Sequence, residues 1–517
     1  MSKGTKRSEA RKPVLIRRSH PVRDNIEGIL GALLLALIVR YFVFEMFVIP
    51  TGSMAPTLLG RHRDLTCPNC GHEFALDSGP GTDGRPQLHR AFCRNCGYEI
   101  PERTVRNTFC RCFPSWPRAV FWRGGNRVIV NKFMAHYRKP RRWDVTVFRY
   151  PRVEMKCKSC GYSEEVSQAD ADEHYVCPYC GSDRIRKIRK NYIKRLIGLP
   201  GETVELRHGD VYIDGVIARK PPEIQEQLWQ FLYDSAYRIE RPQRDKPTLN
   251  YYTAYGVKKE PDYNVLAPNW EAIDGTVKRD EAAFTLTPDP DGKAMLGYVN
   301  PILDFNPYNG GGKVVFEGMG DLRVTVKAKL PEGGALAIHI REDDNLYTGI
   351  VRFGETGLAT SVRSGAQRLA DSDVRLDPAV EHVLVFSNAD DLLELRANGE
   401  TLLRCPLDIP LSDVPKAATN GGVAISAYGG RAELNRIRLE RDIFYVSESP
   451  RFEYAPEAVL PEDAFYMLGD NAAATSSKDS RYWGFVPAEN ILGVADVVCW
   501  PLAHLRTLRD EGLAASE

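Results

Sequence analysis

Two residues pair a useful functional group with suitable neighbours. In Ile49-Pro50-Thr51-Gly52-Ser53-Met54-Ala55-Pro56-Thr57-Leu58 a hydroxyl sits in a Gly/Pro-constrained turn, directly after the most apolar stretch of the chain. A tethered enzyme would meet a membrane-bound substrate there. On pattern alone, a serine in a Thr-Gly-Ser turn is a local hydrogen-bonding residue. Lys194 lies in Tyr192-Ile193-Lys194-Arg195-Leu196-Ile197-Gly198-Leu199-Pro200-Gly201-Glu202. A strand places it on the face of Tyr192 and Leu196, with Arg195 on the other. Lysine can deprotonate a hydroxyl only if its pKa falls far below the usual ~10.4. Burial among apolar side chains has that effect, because desolvation disfavours the ammonium. On pattern alone the default reading is a solvated strand lysine. A third segment runs from Gly469-Asp470-Asn471 to Asp479-Ser480-Arg481-Tyr482-Trp483-Gly484-Phe485-Val486-Pro487.

In this order the three segments resemble type I signal peptidase, the membrane serine protease with a Ser/Lys dyad. The resemblance covers roughly residues 26–60, 124–151, 190–220 and 443–503. It implies that Ser53 attacks, that Lys194 is the general base, and that no cofactor takes part in catalysis. It also implies that the Thr51 hydroxyl and the Ser53 N–H hold the oxyanion, a role that stabilises charge developing in the transition state. Counting back from Asp479-Ser480-Arg481 puts Ser477 where the lysine is oriented; the loop is two residues longer than the family's and lacks its Arg-Asp pair, so Ser476 stays open. Asp479 and Arg481 are expected to form a supporting ion pair. Gly125-Asn126 and Trp143-Asp144 stand where the family usually has Gly-Asp. The implied activity is removal of signal peptides from exported precursors after small residues. The rival readings are another Ser/Lys processing protease of the superfamily and an inactive membrane scaffold that binds glycan or protein.

The elements that must position these groups read as a mainly β chain. Of 517 residues, 43% are hydrophobic and 26% charged, and the net charge of +1 gives no field for nucleic acid. Residues 1–24 form a basic cytoplasmic tail, with eight Lys/Arg against Glu9 and Asp24. Residues 25–48 read as a single transmembrane helix despite Glu27, Arg40 and Glu45, which puts the catalytic part outside the cytoplasm at the plasma membrane. The catalytic core is expected over 49–220 and 444–503, followed by a polar tail at 504–517. Two zinc-ribbon-like insertions interrupt the core at about 61–123 and 152–189. They carry Cys67, Cys70, Cys93 and Cys96, then Cys157, Cys160, Cys177 and Cys180. Cys-x-x-Cys-Gly knuckles in pairs suit a structural zinc in each ribbon, with disulfides as the alternative. Cys110 and Cys112 fit neither set.

Pro221-Pro222 opens a helix whose apolar face is Ile224, Leu228, Phe231 and Leu232, within a helical and irregular linker over 221–300. Residues 301–443 alternate: Leu322, Val324, Val326, Ala328 and Leu330 point one way and Arg323, Thr325, Lys327 and Lys329 the other. With a buried run at Val383-Leu384-Val385-Phe386 and a hairpin tipped by Asn398-Gly399, this argues for a β-sandwich. It resembles the concanavalin/laminin-G jelly rolls, which implies a glycan- or protein-binding insertion or a spacer. Its own apolar interior suggests an independent module, so replacing 221–442 by a short linker is expected to leave Ser53, Lys194 and Asp479 assembled and cleavage of a short soluble substrate detectable.

Overall fold

The computed structural model describes residues 21–77, 91–100, 124–132, 140–173, 175–239, 251–252, 269–280, 282–290, 292–300, 302–304, 306–309, 314–356, 358–415, 421–446, 457–472 and 476–508. Cys110 and Cys112 lie outside them. The chain is mainly β, as expected.

Runs of β-branched residues such as Val128-Ile129-Val130 and Val145-Thr146-Val147 suit a pleated, half-buried surface. They build a sheet in which Phe44–Val48, Arg127–Asn131, Ile491–Trp500, Val145–Arg149, Asn191–Gly198, Ala464–Leu468 and Val486–Pro487 are neighbours in that order. Three distant parts of the chain therefore meet side by side. Lys194 stands opposite Thr146 in the strand Asn191–Gly198, and Arg195 lies between Val145 and Leu468. A smaller sheet, Thr203–Arg207 with Asp210–Ile213 and Val216–Ile217, extends this core.

The apolar segment near the N-terminus divides differently from the reading of a span over 25–48. Its helix is Pro21–Phe42, and Phe44–Val48 is an edge strand paired with Arg127–Asn131. Among the described residues no helix is long and apolar enough to cross a membrane. The helix keeps Glu27 and Arg40, while the apolar residues from Phe44 to Val48 that would have completed a span are paired with Arg127–Asn131. The remaining apolar residues go to the sheet, where backbone pairing outweighs helix extension.

Residues 230–441 contain the expected sandwich, but it starts earlier than 301. One sheet holds Thr276–Asp280, Ala283–Thr287, Ala432–Arg441, Leu322–Lys329, His382–Ala389, Leu392–Ala397 and Glu400–Pro406; the other holds Trp270–Asp274, Lys293–Tyr298, Gly421–Tyr428, Ala335–Glu342, Asn345–Phe353, Thr360–Ser364 and Gln367–Ser372. Val324, Phe386, Ile338 and Ile425, drawn from both sheets, share one apolar core. The helix at 221 is shorter than its apolar pattern, Pro222–Leu228, and Phe231 and Leu232 belong to a strand, Gln230–Asp234, paired with Ala432–Arg441. A Phe-Leu-Tyr run prefers a strand once a partner edge is present. Val383 and Val385 are half-buried, so that run alternates instead of being buried throughout. At the hairpin tip Asn398 and Gly399 take φ of 52° and 92°, the left-handed pair that a tight hairpin needs.

Core and sandwich meet at a buried polar junction. Lys220 donates to Asp390 and, at 2.8 Å, to Asp442, while its ammonium lies 5.6 Å from the Trp143 ring centre.

Candidate active site

Ser53 is carried by a loop that closes on itself. The ends are tied by Asn126: its backbone oxygen accepts from Ile49 N–H at 2.8 Å, and its Oδ1 accepts from Leu59 N–H at 2.6 Å. A Cβ on Gly125 would lie 1.7 Å from the Ile49 oxygen, so the tie requires glycine there. Met54, Ala55 and Leu58 are buried, and Met54 and Leu58 join a cluster with Val128, Val130, Val145 and Val147. The loop is thus anchored on both sides of the serine. Asn126 supplies through its amide what the sequence pattern marked only as a departure from Gly-Asp.

Lys194 is 2% exposed. Burial is the main reason its amine is pushed down to about 8; Asp479 and Asp470 oppose the drop and Arg481 adds to it. Among the described residues it makes no ion pair. An uncompensated buried ammonium is costly, so a usable minority of the amine is already neutral near neutral pH, where an exposed lysine would be almost wholly charged. Ser53, Lys194, Thr51, Ser476 and Ser477 line one cleft of about 870 Å³, together with Tyr192 and Asn191. Ser477 is buried with its hydroxyl unpartnered, and that hydroxyl would be 2.1 Å from a Cβ on Gly469. The same Cβ would lie 2.5 Å from the Ser53 oxygen, so Gly469 lets the loop of Ser477 press against the loop of Ser53.

The expected ion pair is present. Arg481 Nε and Nη2 donate to Asp479 at 2.9 and 2.7 Å, and its Nη1 donates to the backbone oxygens of Val446 and Ala472. Asp479 also accepts from Gly469 N–H at 3.2 Å. Arg195, the residue on the opposite strand face, is buried rather than solvated: it holds Asp470 with two bonds of 2.8 and 2.6 Å and the Trp143 oxygen at 2.7 Å. Sequence alternation could not reveal that pair, because its members lie 275 residues apart. Trp143 takes a φ of 72°, the conformation that explains a glycine elsewhere; its buried ring packs with Ile224 and Leu228.

The eight knuckle cysteines form two quartets, each with its sulfurs within 4.8 Å of one another. Cys67–Cys96 and Cys70–Cys93 approach to 3.6 and 3.5 Å, and Cys157–Cys180 and Cys160–Cys177 to 3.6 Å. These are not disulfide bonds, which are ~2.05 Å long. Zn–S bonds of about 2.3 Å in a tetrahedron put sulfurs about 3.8 Å apart, so both quartets fit zinc. The first quartet is buried against the sandwich, where His72 stacks on Phe231 at 4.2 Å and Asn95 accepts from Asp234 N–H at 2.7 Å.

Residues 122–266 and 427–500 match the family described as signal peptidase, peptidase S26. Lys194, Ser477, Asp479 and Arg481 fall inside the match, and Ser53 precedes it. Signal peptidase I of Leptolyngbya laminosa is 40% identical over 87 residues, covering 17% of this chain and 40% of the relative. Probable signal peptidase I-2 of Synechocystis is 31% identical over 135 residues, covering 26% and 54%. The chain thus spans about half, or less, of the length of these relatives. Among solved structures, the potassium-bound form of the Emp46p carbohydrate recognition domain is similar at a TM-score of 0.24 and 14% identity, covering 33% of this chain and 88% of that one.

Proposed function

We propose that this chain, whose two core segments belong to the signal peptidase S26 family, is a membrane-attached serine endopeptidase that removes signal peptides from exported precursors. The observation that carries the reading is a buried lysine, its amine lowered to about 8, sharing a cleft with the serine of a tied loop. In the reaction neutral Lys194 takes the Ser53 proton as Oγ attacks the scissile carbonyl. The Ser53 N–H and Thr51 hydroxyl receive the oxyanion. The Lys194 ammonium then gives its proton to the leaving amine, and water, deprotonated by the same lysine, releases the acyl group and restores Ser53. Ser477 orients the lysine, and Arg481 with Asp479 holds the loop that carries it. Zinc in the quartets would hold the ribbons folded and supplies no step.

Gly198-Leu199-Pro200-Gly201 together with Asp479–Gly484 favours this reading over another Ser/Lys processing protease, and the intact serine and lysine favour it over a scaffold. Cleavage of a signal-peptide substrate after a small residue, lost in Ser53→Ala, is the expected result. A purified, folded protein that leaves such a substrate uncut would overturn it. Attachment is supported by the helix Pro21–Phe42, which exposes Ile29, Leu30, Leu33, Leu34 and Leu35 beyond a basic tail that would stay cytoplasmic. Retention in membranes through alkaline carbonate is expected; release would refute attachment.

A further inference from the structure

The sandwich does not stand apart from the cleft. A short segment of it, Asn306 with the 3-10 turn Pro307–Asn309, crosses to the Ser53 loop. Asn309 and Asn471 exchange two amide bonds: Asn309 Nδ2 donates to Asn471 Oδ1 at 2.9 Å, and Asn471 Nδ2 donates to Asn309 Oδ1 at 2.6 Å. Asn471 Nδ2 also donates to the Gly52 oxygen at 2.9 Å, and its backbone N–H donates to the Ser53 oxygen at 3.1 Å. Asn306 Nδ2 adds longer contacts to Ala55 O, 3.4 Å, and Asn471 Oδ1, 3.5 Å. Tyr308 is buried, its ring where a Cβ on Gly52 would be, 2.0 Å away, and its hydroxyl donates to Arg61 O at 3.4 Å. Asn309 itself lines the cleft beside Ser53 and Lys194.

A trans peptide is planar, with its C=O and N–H pointing opposite ways. Holding the Gly52 carbonyl therefore sets the direction of the Ser53 N–H. We infer that Asn309 of the inserted sandwich is a positioning residue, which locks Asn471 on the Gly52 carbonyl and so aims the Ser53 N–H at the oxyanion. The Gly52 carbonyl, which can only accept, decides which way Asn471 is turned, and Asn309 then meets both atoms of that amide with a complementary group. The inference rests on the proposed Ser/Lys chemistry. It reverses the expectation that 221–442 is dispensable, because replacing that stretch removes Asn306, Tyr308 and Asn309 together.

The test uses the full-length protein. Asn309→Ala is expected to lower kcat on a signal-peptide substrate about 10- to 100-fold with KM nearly unchanged, because an oxyanion donor acts in the transition state. Asn306→Ala, which loses the longer contacts to the Ser53 loop and a 3.1 Å bond from Tyr308 N–H but leaves the Asn309–Asn471 pair, should fall by less. In an Asn471→Ala background, Asn309→Ala should add little, since the two act through one bond network. A rise in KM at unchanged kcat would make Asn309 a substrate contact and overturn the inference, as would full additivity with Asn471→Ala. A second readout, burst acylation of Ser53 by a p-nitrophenyl ester, separates this inference from the substrate assignment. Slow acylation in Asn309→Ala with fast acylation in the parent supports the inference even if the parent leaves signal peptides uncut. Equal acylation in both would overturn it.

Discussion

At the scale of single residues, the decisive quantity is the protonation of Lys194. Because burial lowers its amine to about 8, the base is mostly protonated at pH 6 and mostly free at pH 9. Cleavage should therefore rise about tenfold per unit of pH below 8 and level off above it. A rate that is flat between pH 6 and 9 would place the base elsewhere. Ser53→Ala and Lys194→Ala should each reduce kcat at least ~10³-fold, with the double variant little worse than either, as for groups that work as a unit. Circular dichroism should show both variants folded. Substantial activity in Lys194→Ala would remove lysine from the mechanism.

At the scale of elements, the two ribbons have different surroundings. The first packs its hairpin strand Glu73–Asp77 against the turn Pro307–Asn309, and Arg94 Nη2 donates to the Leu303 oxygen at 2.9 Å. The second, with Cys160 and Cys180 exposed, stands on its own three strands. Metal analysis should find close to two zinc ions per chain. Cys67→Ser should lose one zinc and most of the activity, since the turn that carries Asn309 loses its backing. Cys157→Ser should lose the other with activity largely kept. Zinc-free wild-type protein, or equal activity losses in the two variants, would count against this division.

At the scale of the whole molecule, the junction between core and sandwich makes stability depend on pH. Burial, reinforced by Asp391, raises the Glu342 carboxyl to about 8, and Asp391 is raised to about 6, mainly by burial. Asp343 and His208 lie close by, with a His208 Nδ1–Glu342 distance of 3.7 Å. A raised carboxyl keeps a proton in the folded state that the unfolded chain releases. Its stabilising contribution is present below about pH 4.5 and is lost as pH rises to about 8. The thermal midpoint should fall across pH 5 to 8, with a shallower slope in Glu342→Gln. Identical slopes in the two proteins would remove Glu342 from the account.

What the sequence determined by itself is what short stretches encode. The alternation from Leu322 to Leu330, the left-handed pair Asn398-Gly399 and the cysteine knuckles are all legible within a dozen residues, whereas the serine and lysine are nominated only by three short motifs taken together in order. Period, turn geometry and ligand spacing are local properties. Tertiary structure decided the rest, because its partners are far apart in the chain. Arg195 looks solvent-facing until Asp470 arrives to pair with it. Phe231 and Leu232 continue a helical stripe until the edge of Ala432–Arg441 offers hydrogen bonds. The apolar stretch after Ile26 gives its last residues to the strand Phe44–Val48 only when Arg127–Asn131 is beside it. Asn309 carries no motif at all. It gains its place because the ends of a long insertion leave and rejoin one active-site core, which brings the insertion's surface against the loop of Ser53.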